Sequence, residues 1–120
     1  MLKQMVNQSD SLDLMFHALS DPTRRSIVER LSQGPASVSE LARPLSMSLP
    51  AAMQHLQVLE ASGLVHSEKI GRVRTCRLEL KRLSLVQNWI TERRALWESR
   101  LDRLDAFLGE PARTPTEAEN

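Results

Sequence analysis

The chain has 120 residues, of which 41% are hydrophobic and 26% charged, a composition typical of one globular domain with a modest core. No apolar run approaches the roughly 18 residues of a membrane span, residues 1–10 lack a signal-peptide core, and the single cysteine, Cys76, excludes an internal disulfide. These features predict a cytoplasmic protein, and the net charge of +1 does not by itself indicate a nucleic-acid partner.

The chain begins with two predicted helices. We expect residues 1–10 to form a flexible arm, because they show little pattern. Apolar residues at helical spacing then predict a short helix over residues 11–19; they are Leu12, Met15, Phe16 and Leu19. Asp21 caps a second helix, and Pro22 takes its first position.

A helix-turn-helix is predicted next. Ser37 caps a third helix, with Glu40 completing a capping box, and Pro44 limits that helix to little more than two turns. After a tight connection, a fourth helix is predicted from Ser48 to Ser62. Its inward stripe consists of Ala52, Leu56 and Leu59, and its outward faces carry neutral polar side chains. Such a face is suited to reading base edges in a major groove, although an ordinary surface helix would look similar.

After Gly63 the pattern changes to two strands, over residues 64–70 and 73–78, with Gly71 and Arg72 as a hairpin turn. Residues 64–82 hold six basic and two acidic residues, so positive charge is concentrated directly after the fourth helix. A basic hairpin at this place indicates a wing. A solvated surface hairpin is the alternative.

The last predicted helix, over residues 83–108, is long and has two apolar edges. One small domain cannot easily cover both, so we expect the same helix of a second copy to cover them. Dimerisation is assigned to the first and last helices through Leu12, Met15, Phe16, Trp89, Ile90, Trp97, Leu101, Leu104 and Leu108. We expect one domain over residues 11–109, followed by a disordered polar tail, residues 110–120.

In this order and spacing, the sequence resembles the ArsR-type (arsenical-resistance-repressor) winged helix-turn-helix regulators. The segments that carry the resemblance are Phe16–Arg25, Val38–Ala42, Leu49–Leu59, Ala61–Val65 and Gly71–Arg72. They cover about residues 12–80, and the segment around Trp97 resembles the terminal helix of many members. The resemblance implies a mainly α-helical fold with a small β-hairpin, in the order of four helices, two strands and a fifth helix.

The resemblance also implies a homodimeric repressor that binds double-stranded DNA with an inverted-repeat operator. The fourth helix would lie in the major groove, and Arg72 with Arg74 would reach phosphate or the minor groove. The DNA-binding residues assigned on this basis are Ser37, Ser48, Leu49, Pro50, Met53, Gln54, Gln57, Lys69, Arg72 and Arg74. Met53 departs from the small polar residue usual in the family, and Ser46 replaces a common turn glycine. His55 is interpreted as structural.

The family's metal-sensing motifs are missing from this sequence. The third helix has no cysteine and the last helix no histidine, so we predict neither a metal site nor a cofactor, and no effector is identified. Cys76 is interpreted as a buried small hydrophobe, with a thiol-responsive regulator as an alternative. No catalytic constellation is found, so an enzyme is not predicted. A winged helix used for protein–protein assembly stays an alternative function.

Overall fold

A computed structural model describes residues 8–109. In this range the chain forms five α-helices and three strands. In chain order they are α1 (Gln8–Leu19), α2 (Pro22–Leu31), β1 (Ala36–Ser37), α3 (Val38–Ala42), α4 (Leu49–Ala61), β2 (Val65–Ile70), β3 (Val73–Leu78) and α5 (Leu80–Leu108). A short 3-10 helix, Arg43–Leu45, follows α3 because Pro44 cannot continue the α-helical hydrogen bonds. The predicted element order is therefore confirmed, with β1 as an addition.

The two largest differences from the predicted element boundaries are at the starts of α1 and α5. Helix α1 begins at Gln8, so the expectation of a flexible arm is wrong for residues 8–10. Asp10 lies in the first turn of α1, where a carboxylate interacts favourably with the helix dipole. Helix α5 begins at Leu80 instead of residue 83. The rest of the predicted arm, residues 1–7, and the predicted tail, residues 110–120, lie outside the described residues.

By its internal contacts the chain divides after Val86 into two units. The first contains α1 to α4, the sheet and the first turns of α5, and the second contains the rest of α5. The predicted domain of residues 11–109 spans both. No helix within residues 8–109 is long and apolar enough to cross a membrane.

The core of the first unit is formed by apolar side chains from every helix and from the sheet. Its most deeply buried large members are Met15, Ile27, Leu56, Leu59, Leu64 and Cys76. The predicted inward stripe of α4 is confirmed, because Ala52, Leu56 and Leu59 are all fully buried. Burial of this one face fixes which side of α4 is presented to solvent.

The sheet has the strand order β1-β3-β2, and both strand pairs are antiparallel. Ile70 pairs with Val73 across the hairpin, which leaves Gly71 and Arg72 as a two-residue turn. Gly71 has φ of +64°, the conformation that glycine adopts without a penalty at the first position of a type II′ turn. The predicted wing turn is confirmed. Strand β1 was not predicted, because two residues are too short to show an alternating pattern.

Candidate nucleic-acid interface

Helix α4 begins and ends at the predicted capping residues. The Ser48 hydroxyl accepts a hydrogen bond from the backbone N–H of Ala51 at 3.2 Å, and Pro50 lies in the first turn, where its missing N–H costs nothing. Gly63 follows the helix with φ of +85°. The side chains of Pro50, Gln54 and Gln57 are exposed, away from the buried stripe. The outer face of α4 therefore offers two amides, and its one exposed charge is Glu60 near the C-terminal end of the helix.

A network of hydrogen bonds centred on the Arg24 side chain of α2 links α4 to the first two helices. The Arg24 Nε donates to the carbonyl oxygen of Ala18 at 2.8 Å, and its Nη2 donates to that of His17 at 3.2 Å. Its Nη1 lies 3.4 Å from Nδ1 of His55 on α4. His55 is half-buried and points toward α2, in agreement with its interpretation as structural.

Asp21, the N-cap of α2, belongs to the same network of contacts. Its carboxylate accepts a hydrogen bond from the backbone N–H of Arg24 at 3.0 Å and lies 3.9 Å from Nδ1 of His55. The Arg24 backbone N–H holds the pKa of Asp21 below its ordinary value, because the hydrogen bond favours the charged carboxylate. The cap thus keeps Asp21 ionised beside the Arg24 guanidinium.

A capping box fixes the start of α3. The Ser37 backbone N–H donates to the Glu40 carboxylate at 2.7 Å, and the Glu40 N–H donates to the Ser37 hydroxyl at 3.1 Å. The first of these bonds lowers the pKa of Glu40. Ser37 is half-buried, and its hydroxyl hydrogen is left available to a further acceptor.

The wing presents its predicted basic residues in two different ways. Arg72 at the turn and Lys69 on β2 are exposed, and within residues 8–109 neither side chain forms a hydrogen bond or an ion pair. Arg74 is half-buried, and its Nη1 donates to the hydroxyl of Ser67 at 3.0 Å. That hydroxyl in turn donates to the carboxylate of Glu60 on α4 at 2.6 Å. Ser67 therefore ties the wing to α4, and Arg74 donates to the same hydroxyl from β3, contacts that the sequence did not predict.

A surface groove of about 300 Å³ separates the wing from the two helices of the helix-turn-helix. We call it the wing groove. Its apolar lining is Val38, Leu49, Met53 and Val73. Its polar lining comes from Ser37, which caps α3, from Ser39 of α3, and from Arg72 and Arg74. Five of the ten predicted DNA-binding residues, Ser37, Leu49, Met53, Arg72 and Arg74, are brought together here, whereas Gln54 and Gln57 lie outside this lining.

The residues assigned to dimerisation differ in exposure. Met15 is fully buried in the core of its own chain, so its assignment to an interface is wrong, and Leu12 is half-buried against the same core. Phe16 is exposed on α1. In the second unit, Trp97 is 61% exposed, and the other assigned side chains of α5 are also exposed: Trp89, Ile90, Leu101, Leu104 and Leu108. Leu14 is a further exposed apolar residue of α1 that was not assigned.

Comparison with known proteins agrees with this geometry. Residues 19–68 match a family described as a helix-turn-helix domain. The chain is 49% identical over 69 residues to the HTH-type transcriptional regulator Rv2034 of Mycobacterium tuberculosis, covering 58% of this chain and 64% of that relative. A crystal structure of an ArsR family transcriptional regulator superposes with a TM-score of 0.72 at 48% identity, covering 79% of this chain and 98% of that one. The chain belongs to the ArsR family.

A further solved structure shares the fold. It is the homodimeric winged helix-turn-helix DNA-binding domain of a Mycobacterium bovis protein, with a TM-score of 0.60 at 24% identity, covering 73% of this chain and 83% of that one. The chain spans less than two thirds of the length of the curated relative Rv2034, and within residues 8–109 it has the winged helix-turn-helix fold of the ArsR family.

Ser46, in place of the common turn glycine, adopts the left-handed conformation with φ of 53° and ψ of 41°. Within residues 8–109, no three histidine, cysteine, aspartate or glutamate side chains lie close enough together to hold a metal ion.

Cys76 lies on β3 and is fully buried, as its position in the alternating pattern predicts. Burial raises the pKa of its thiol to about 11, and the charge of Glu60 adds to the shift. The thiolate, which is the reactive form, is therefore scarce at neutral pH. This environment fits a small core side chain better than a redox sensor.

Proposed function

We propose that the protein is a homodimeric repressor that binds an inverted-repeat DNA site in the cytoplasm. The observation that carries the proposal is the exposure of the α4 amide pair and of Arg72 at the wing tip, whose side chain has no partner among the described residues. Amides read base edges in the major groove, whereas arginine at a hairpin tip binds phosphate or the minor groove. Repression is the simplest outcome, since a bound dimer excludes other proteins from the same DNA segment.

The α4 glutamines and the wing arginine have different roles in the proposed DNA binding. Gln54 and Gln57 lie about one turn apart on α4, and each can form a pair of hydrogen bonds with adenine through N6 and N7. Arg72 supplies a positive charge without a competing acid among the described residues, so it contributes to affinity on any sequence. The Arg74 guanidinium and the Ser37 backbone N–H already have hydrogen-bond partners. These two residues therefore contribute to DNA binding only through the donor groups that those bonds leave available.

Dimerisation through α1 and α5 is part of the proposal. Exposed apolar side chains on both helices support it, because a soluble chain that exposes two tryptophans and several leucines on one helix gains stability by covering them. The homodimeric state of the Mycobacterium bovis relative supports it as well. A two-fold axis relates the two α4 helices, so the half-sites should be inverted and centred about 10 base pairs apart.

The test is a selection of bound duplexes from a random pool, followed by affinity measurements over a salt series. Gln54→Ala should weaken binding to the selected site by about 10-fold or more and flatten the preference at one base pair per half-site. Arg72→Ala should weaken binding to all sequences more evenly and reduce the slope of log affinity against log salt by about 1 per arginine contact. A protein that retains no duplex at low salt would contradict the proposal and favour the protein–protein alternative.

A further inference from the structure

The floor of the wing groove is apolar although it lies on the proposed DNA-binding face. Leu49, in the first turn of α4, is 51% exposed, and Met53 lies one turn later on the same side of the helix. Val73 is also 51% exposed, and Val38 belongs to the same apolar lining, whose four side chains we call the floor. Four apolar side chains from α3, α4 and β3 thus face one open space of about 300 Å³.

The polar part of the same lining, which we call the rim, is positively charged. Arg72 and Arg74 belong to it, and no acidic residue does. The hydroxyls of Ser37 and Ser39 add hydrogen-bond donors on the α3 side. An occupant that matches this lining has a negatively charged part at the rim and an apolar group directed at the floor.

Duplex DNA offers that combination at one base. In the major groove, the 5-methyl group of thymine is the only apolar group that an ordinary base pair presents, and the phosphates flank it on both sides. We infer that the apolar floor of the wing groove binds the 5-methyl group of one thymine in each half-site, with Leu49 and Met53 as the specificity-determining residues. The inference rests on the proposed function, since it concerns what the proposed DNA-binding face recognises.

The chemistry of the floor explains why a thymine is preferred there. Leu49 and Met53 cannot form the paired hydrogen bonds by which amides or arginine read adenine or guanine, so discrimination at this position must come from apolar contact. Cytosine has a hydrogen at C5 in place of the methyl group and an N4 amino donor in place of the O4 acceptor, so it loses the apolar contact and brings a polar donor next to an apolar surface. A methylated cytosine regains the apolar contact.

The decisive measurement changes the DNA and leaves the protein intact. In the duplex selected from the random pool, each thymine is replaced in turn by deoxyuridine, which removes the methyl group and retains every hydrogen-bonding group. At one thymine per half-site, we expect affinity to fall about fourfold for a single replacement and about 15-fold when both half-sites are changed, the worth of one buried methyl group each. Cytosine at that position should bind weakly, and 5-methylcytosine should recover part of the loss.

Protein variants then assign the effect to the groove. Leu49→Ala should reduce the fourfold deoxyuridine penalty to less than about twofold, because the methyl group loses its contact. Ile70→Ala is a matched control, since Ile70 is an exposed apolar residue of the wing that does not line the groove, and it should leave the penalty unchanged. Thermal unfolding of both variants checks that each is folded.

The outcomes separate this inference from the proposed function. If the protein prefers its selected site and no deoxyuridine replacement changes the affinity, the inference is wrong and the DNA-binding function stands. A selected half-site without thymine, or a penalty that Leu49→Ala leaves at fourfold, also overturns it. If no duplex is retained from the pool, the proposed function itself fails.

Discussion

The two units of this chain use apolar side chains in opposite ways. In the unit that ends at Val86, the leucines and isoleucines at helical spacing are largely buried, and Leu56, Leu59 and Ile27 have almost no exposed surface. In the helical segment from Gln87 to Leu108, side chains of the same type are exposed, and so are both tryptophans. A periodic apolar stripe therefore shows that a face will be covered, but it does not show whether the same chain covers it.

The comparison gives each unit a different dependence on concentration. A core formed within one chain unfolds at a temperature that does not depend on protein concentration. A face that is covered only by a second copy contributes stability that rises with concentration, by mass action. Variants in the two units should consequently be distinguishable by this dependence as well as by the size of their effects.

The largest effect is expected for Trp97→Ala. Trp97 is 61% exposed in the single chain, and a large aromatic side chain in the centre of a covered face typically dominates association. Loss of both rings from a dimer should weaken association by at least about 100-fold. Light scattering at micromolar concentration should give about twice the chain mass for the unchanged protein and a mass near 13.6 kDa for the variant.

Ser99→Ala is the control for Trp97→Ala, because Ser99 lies on the same helix but on the side opposite to Trp97. The Ser99→Ala variant should still give the mass of a dimer in light scattering. If Trp97→Ala and Ser99→Ala give the same mass at every concentration, the exposed stripe of α5 is not the dimer interface.

The next largest effect is expected in the core of the first unit. Leu56 is fully buried, so Leu56→Ala should lower the free energy of unfolding by about 2–5 kcal/mol, the sum of lost burial and a cavity. Thermal denaturation over a range of concentrations should show this loss at all of them. Leu101→Ala, in the exposed stripe, should instead change how Tm depends on concentration. Identical concentration profiles for the two variants would contradict the distinction between the units.

The sequence was sufficient for the features that repeat or that need a special residue. The helical period predicted the inward face of α4, and the requirement for positive φ placed Gly63 and Gly71 at the end of α4 and in the wing turn. Periodicity failed for Met15, which follows the stripe of α1 yet is buried in its own chain. The strand β1 has too few residues to carry any pattern.

Five of the residues assigned to DNA binding line one groove, but the sequence did not predict the hydrogen-bond partners of these side chains. The wing turn fixes the register that pairs Lys69 with Arg74, and this places Ser67 near Arg74 on the adjacent strand. The contact of Ser67 with Glu60 depends on how the sheet packs on α4, which no local pattern determines. The wing groove likewise arises from three elements that are distant in sequence, so its apolar floor is visible only in the fold.

A third prediction concerns access to the interior of the first unit. Because the pKa of Cys76 is raised to about 11, its thiolate fraction at pH 8 should be more than 100-fold below that of an ordinary thiol, and burial slows reagents further. Labelling with a thiol reagent at pH 8 should be at least 100-fold slower than for an exposed cysteine. The rate should rise about tenfold per pH unit while the protein stays folded.

The reference for this measurement is Ser99→Cys on the background of Cys76→Ala, which places one thiol on the exposed helix. If Cys76 in the unchanged protein reacts as fast as this reference, the first unit opens readily. The alternative of a thiol-responsive regulator would then gain support.

The smallest effect is expected at Ser46, the one described residue other than glycine with positive φ. Ser46 follows the short 3-10 helix and turns the chain toward α4, in a conformation that costs a residue with a Cβ about 1–2 kcal/mol. Ser46→Gly removes this cost but adds about 0.5–1 kcal/mol of backbone freedom to the unfolded chain. The difference should stabilise the protein by about 0.5 kcal/mol and raise Tm by a few degrees.

Ser39→Gly supplies the matched control, because Ser39 lies within α3, where glycine can only destabilise. Thermal unfolding should therefore give shifts of opposite sign for the two serines, and a lower Tm for both would show that the turn between α3 and α4 does not hold Ser46 in a left-handed conformation.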